Sequence, residues 1–185
     1  MKKLSYTLLI FVYTISSFAQ SNSFTDKRDG KVYKTVKIGT QTWMAENLAF
    51  KALNGCLAYD NQLSNVSKYG YLYNWKTAKT VCPTGWHLPS KKDFGTLVVN
   101  YSGSDNINKV LLPGGRSGFS AQHSGCSNCY SSETFYGIGD YSYFWSSSTD
   151  GNEPWHMSIG NDNNNPIINV GNENSGFSVR CLKNN

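Results

Sequence analysis

The chain has 185 residues, with 17 Lys and Arg against 12 Asp and Glu, and a formal charge of +5. That length suits one domain with a core of its own. The positive excess is mild and its lysines and arginines are scattered along the chain rather than clustered, which argues against a nucleic-acid partner.

Residues 1–19 are expected to be a signal peptide. Lys2 and Lys3 form a basic head, the apolar run LSYTLLIFVYTISSFA follows, and Ser17 and Ala19 are the small residues that a signal peptidase reads. The run is short and holds Ser and Thr, unlike a membrane span. No later stretch is apolar enough to cross a bilayer, so the mature chain is expected to be exported to the periplasm, the cell surface or the medium. There the five cysteines, Cys56, Cys82, Cys126, Cys129 and Cys181, default to disulfides rather than to zinc or redox chemistry. Their odd number leaves one thiol over, or one intermolecular bond.

Residues 20–25 are polar and small and read as a flexible lead-in to a single domain over residues 26–184. DGKVYKTVKIGTQTWMAENL predicts a hairpin, with Val32 to Ile38 running up, Gly39 and Thr40 turning, and Gln41 to Met44 returning. YGYLYNWKTAKT suits a short helix around Trp75 and Ala78 that stops before Pro83. Ser90 with Asp93 is a capping-box pattern, and Phe94, Leu97 and Val98 give the following helix an apolar stripe, ended near Asn100. Residues 82–89 are then a tight connector between two helices. HSGCSNCYSSE, residues 123–133, reads as a loop insertion. YFWSSST, WHMSIG and GFSVRCL read as short strands between Asn/Gly/Asp loops. Alternation places Trp155, Met157 and Ile159 on an apolar face, with His156 and Ser158 outward. In the last strand it buries Phe177, Val179 and Cys181 and turns Ser178 and Arg180 outward.

DGKVYKTVKIGTQTWMAENL, YGYLYNW, CPTGWHLPS, FWSSS and GFSVRCL, in that order, resemble the Fibrobacter succinogenes major paralogous domain, a family of exported bacterial domains. More widely, TAKTVCPTGWHLPSKKDF is similar to the segment of C-type-lectin-like domains in which a helix ends in cysteine and a second helix begins after a Gly/His/Leu step. That resemblance implies an α+β, C-type-lectin-like fold: two short helices packed on small antiparallel sheets with long loops. It also implies a disulfide between Cys82 and Cys181. On that basis the Cys82–Pro89 stretch is a structural clamp, with Trp86 and Leu88 plugging the core and His87 a hydrogen-bonded structural residue. Members of the family carry a further cysteine pair around the YDN loop. Here Val66 stands where its second cysteine is expected, so that bond is not carried over. Cys126 and Cys129 either bond to each other, or one of them takes Cys56.

No constellation argues for catalysis. The chain lacks a Gly-x-Ser-x-Gly elbow, its carboxylates are not spaced as an acid/base pair, and it has three histidines, His87, His123 and His156. The formylglycine-generating enzymes share the wider fold and use reactive cysteines near the C-terminus, whereas here the clamp consumes Cys181. Cys126, Cys129 and His123 fall one ligand short of a zinc site. Asp150, Glu153 and Asp162 supply oxygens for a Ca²⁺ site; no other cofactor is expected. Tyr, Trp, Asn, Ser and Gly fill the loops, a mixture that suits binding surfaces. Tyr136, Tyr141, Tyr143 and His156, with Asn161 and Asn163, are therefore the expected contacts to an extracellular glycan or protein. The alternatives are a surface display scaffold without a small ligand and an oxidase of the formylglycine-generating kind.

Overall fold

The computed structural model describes residues 21–130 and 133–185. The signal peptide expected over residues 1–19 lies outside them. Where composition predicts a flexible lead-in, the chain instead forms β1 (Ser21–Thr25), which pairs antiparallel with β2 (Val32–Ile38) from Ser21 opposite Val36 to Thr25 opposite Val32. Backbone ladder bonds, to which polar residues contribute as well as apolar ones, hold it there. Phe24 anchors it from one side, 5.1 Å from the Trp86 ring.

β2 turns into β3 (Gln41–Met44) as the pattern predicts, with Gly39 at φ +58 where a two-residue turn needs the left-handed region. β4 (Cys56–Leu57) and β5 (Leu72–Tyr73) pair across a loop that holds the single-turn helix α1 (Val66–Tyr69). Helix α2 (Trp75–Val81) starts on Asn74, whose side chain accepts from the Thr77 amide at 2.9 Å, and it stops ahead of Pro83. β6 (Trp86–His87) precedes α3 (Lys91–Val99). At its start the Asp93 amide donates to Ser90 Oγ at 3.2 Å, and the Ser90 amide donates to Asp93 Oδ2 at 2.8 Å, so the capping box is complete. A short helix that the sequence pattern does not announce, α4 (Ile107–Leu111), comes next.

The predicted loop insertion at residues 123–133 lies largely in two paired strands, β7 (Ser124–Tyr130) and β8 (Glu133–Ile138). Ser, Gly and Asn read as loop residues. Here Asn128 takes φ +51 within a register shift between Ser127 and Tyr130, so the small residues serve a bulge inside a strand. β9 (Tyr141–Asp150) and β10 (Glu153–Gly160) make a long hairpin, β11 (Ile167–Val170) adds to β10, and β12 (Leu182–Lys183) comes last.

The strands assemble into a sheet ordered β1-β2-β3-β12-β6, a sheet ordered β11-β10-β9-β7-β8 and the small β4-β5 pair. Between these strands, pairing is antiparallel except where β7 meets β9. The chain is thus a mixed α/β domain with few, short helices and mainly antiparallel sheets. Both faces of β9 and β10 are covered in their central part. Phe144, Met157 and Ile159 join Trp43, Phe94, Leu97 and Phe119 in one core cluster, whereas Tyr143 and Trp145 join Tyr73, Phe177, Val179 and Cys181 in the other.

A break in the β10 register and that double burial together correct three sequence expectations. A register shift between Pro154 and His156 breaks the alternation of β10, so Trp155 is only half-buried, with Lys91 Nζ 3.3 Å from its ring centre. His156, expected outward, is 9 % exposed and packs 4.9 Å from the Phe177 ring. In the last segment Ser178 and Arg180 are as buried as their neighbours. The segment runs between β9 and β3, with the Trp145 amide donating to Ser178 O and the Met44 amide to Cys181 O, so neither side meets water. Alternation reports burial only when one face is solvated.

Cys82 is bonded to Cys181 across a separation of 99 residues, with Cα atoms 5.9 Å apart. Gly85 bends the connector at φ +86, and Trp86 and Leu88 are buried beside the bond. Cys126 is bonded to Cys129, and Cys56 is the free thiol.

Candidate functional site

The hairpin register decides which side chains share a face. Tyr143 lies opposite Ser158 and Tyr141 opposite Gly160, while His156 lies opposite Asn169 and Ser158 opposite Ile167 on β11. Cross-strand partners point to the same side of a sheet. At its inner end this side is sealed by Phe177. Towards the Gly160 end it opens as a cleft of about 440 Å³, lined by these residues together with Tyr136 of β8 and Asp162, Asn163 and Asn165 of the loop after β10.

Five of the six residues expected to touch a ligand therefore meet around one cleft: Tyr136, Tyr141, Tyr143, His156 and Asn163. Asn161 does not line it; its side chain donates to Asp140 Oδ1 at 3.3 Å. The rings of Tyr136 and Tyr141 are 5.9 Å apart and 24° from parallel, and those of Tyr141 and Tyr143 are 6.2 Å apart and 29° from parallel. The Tyr143 ring in turn stacks on Phe177 at 5.1 Å, so the aromatic row is rooted in the core. Tyr141 Oη donates to Asp162 Oδ2 at 3.2 Å, and Asn163 Nδ2 donates to Asp162 Oδ1 at 3.0 Å. The bond that Tyr141 donates to Asp162, and the negative charge of that carboxylate, raise the Tyr141 pKa above the usual phenol value. Burial pushes His156 down to about 4, so the ring is uncharged at neutral pH. Its Nδ1 is buried without a hydrogen-bond partner.

Sequence reasoning missed the residues that set the cleft's rim. Asn108 of α4 donates from Nδ2 to Gly160 O at 3.0 Å and to Asn163 O at 2.8 Å, and Asn106 Nδ2 donates to Asn164 Oδ1 at 2.7 Å. Nothing in the NDNNN tract signals that it docks on a helix about fifty residues upstream. Gly160 matters for a different reason. A Cβ there would fall 2.5 Å from Asp162 Oδ1 and 2.7 Å from Tyr141 Cε1, so a side chain would separate the acid from the ring.

The carboxylates expected to hold Ca²⁺ do not come together. Asp150 and Glu153 face each other at the turn of the β9–β10 hairpin, whereas Asp162 follows Gly160 at the far end of β10. Those ends are about 23 Å apart at strand rise, so the three carboxylates do not share a Ca²⁺ site. Cys126 and Cys129 are bonded to each other, which removes the thiolates that a zinc ion needs, and His123 packs instead with Nδ1 3.3 Å from Ser142 Oγ. Among the described residues no group of three His, Cys, Asp or Glu is placed to hold a metal. His87 Nδ1 lies 2.7 Å from Asn184 Oδ1 and its Nε2 lies 3.9 Å from Asp93 Oδ2, near the start of α3 and away from the cleft.

These features define a disulfide-bonded α/β domain that presents one aromatic cleft on a sheet face. The Fibrobacter succinogenes major domain model matches residues 36–183, and the chain belongs to that family. No curated protein and no solved structure matches the chain. Among the described residues no helix is long and apolar enough to cross a membrane.

Proposed function

We propose that this protein is an exported, non-catalytic binding module of C-type-lectin-like fold that takes an extracellular glycan into the cleft between β8 and β11. The observation that carries the reading is the row Tyr136–Tyr141–Tyr143, near-parallel and rooted on Phe177, beside a polar rim of Ser158, Asp162, Asn163, Asn165 and Asn169. Apolar ring faces suit the C–H faces of sugars, and short amide and hydroxyl side chains suit their hydroxyl groups.

The disulfides are compatible with export. The Cys82–Cys181 bond leaves Cys181 no free thiol for oxidase chemistry, which supports a non-catalytic role. The cleft contributes one carboxylate, Asp162, against the roughly six to eight oxygens of a calcium shell. The proposed binding is therefore metal-independent.

A polysaccharide and glycan array probed with the purified protein, with calcium and again with EDTA, tests this. The expected result is a hit that survives EDTA and weakens about three- to tenfold in Tyr141→Ala, the loss of one aromatic contact. A hit abolished by EDTA would overturn the metal-free form of the reading. Silence from folded protein would replace it with a protein adhesin or display scaffold.

A further inference from the structure

We propose that the cleft selects a sugar bearing a free, protonated amine over neutral and anionic sugars. The inference rests on the glycan reading above and adds to it the charge of the ligand.

Charge and geometry carry it together. Among the described residues lining the cleft, Asp162 supplies a carboxylate and none is Lys or Arg. His156, the one lining side chain that could have offset the acid, is 9 % exposed and uncharged at neutral pH. The carboxylate is held at the rim, with one bond to each oxygen, from Tyr141 Oη and Asn163 Nδ2. An ionised carboxylate has about four lone-pair sites, so two directions remain for a ligand's N–H groups. The tyrosine beside it adds to the same preference, because an aromatic face carries negative quadrupole density that attracts an ammonium. The close approach is built in at Gly160, whose lack of a side chain lets Asp162 and the Tyr141 ring meet. A sugar ring resting on the tyrosines with its amine towards Asp162 satisfies both groups. A uronic acid in the same pose sets like charges together, and an acetylated amine has no charge to offer.

Titration calorimetry in mildly acidic buffer, with oligosaccharides of glucosamine, their N-acetylated counterparts and oligogalacturonate, separates these cases. The amine form is expected to bind about tenfold tighter than the acetylated form, the sum of a modest cation–π term and a partly exposed ion pair. The acid form is expected to bind least. Asp162→Asn should erase the amine preference, so that the amine and acetylated oligomers bind with similar affinity. Equal affinity for the amine and acetylated forms, unchanged by Asp162→Asn, would overturn the charge selection and leave the glycan reading standing. Oligolysine binding as tightly as the amino sugar would overturn it in favour of a basic peptide. Silence towards all three oligosaccharides, from a protein that also fails on the array, would overturn both readings.

Discussion

His156 shows how one ring couples the cleft to stability. Its neighbours are Tyr143, Trp145 and Phe177, with centroids at 6.0, 6.2 and 4.9 Å, and none of them offers a charge to an imidazolium. Burial therefore lowers its pKa from 6.5 to about 4. The unfolded chain takes up a proton where the folded chain does not, so the stabilising contribution is complete above pH 6.5 and is lost as the pH falls towards 4. The size of that loss is about 3 kcal/mol. Urea titrations at neutral and at acid pH should show the wild type losing this amount more than His156→Phe does; equal losses would mean that the ring is hydrated in solution. Arg180 is a second buried base, fully enclosed, with its guanidinium donating to Asn47 Oδ1 at 2.6 Å and to Phe119 O, and with its pKa lowered by burial to about 9. It sits over the Phe119 ring at 4.6 Å. Neither residue is legible from its own position. Both alternate with apolar neighbours, and only long-range contacts, β9 against the last segment, show that the second face is covered. The tyrosines were legible because an aromatic-rich segment next to Asn-rich loops is a local feature.

At the scale of elements, the best-read piece was α3, because its start is written in adjacent residues. Ser90 and Asp93 close the box on each other, and the neighbouring Lys91 amide donates to Ser148 Oγ at 3.0 Å, which ties the helix start to β9. Ser90→Ala leaves the Asp93 amide without that acceptor and is expected to lower stability by about 1 kcal/mol, and Ser90→Gly by only a few tenths. Chemical denaturation of both variants checks this; an unchanged midpoint for Ser90→Ala would show that water replaces the cap. The hairpin of β2 and β3 and the end of α2 were equally legible, since a turn glycine and Pro83 act on their own neighbours. β7, β8 and α4 were not. Their residues are small, polar or few, and they become strands and a helix through partners distant in sequence: Ser127 against Gly176, and Asn108 against the loop after β10.

For the whole molecule, the decisive tie is the Cys82–Cys181 bond, because it joins the exit of α2 to the segment threaded between the two sheets. That segment holds Phe177, which roots the aromatic row, and Arg180, which gathers Phe119 O and Asn47; the clamp therefore fixes the cleft's floor as well as the core. Closing so long a loop is worth about 4–5 kcal/mol in the chain-entropy model. The Cys126–Cys129 bond spans a separation of only 3 and constrains the unfolded chain far less. The double variant Cys82→Ser/Cys181→Ser should lose several kcal/mol in urea, and Cys126→Ser/Cys129→Ser much less. Thiol titration completes the comparison. The native protein should release one equivalent, slowly, since burial raises the Cys56 pKa, and Cys56→Ser should release none. Equal destabilisation of the two double variants would show that the order imposed on the folded chain, not the length of the loop closed, sets what each bond contributes.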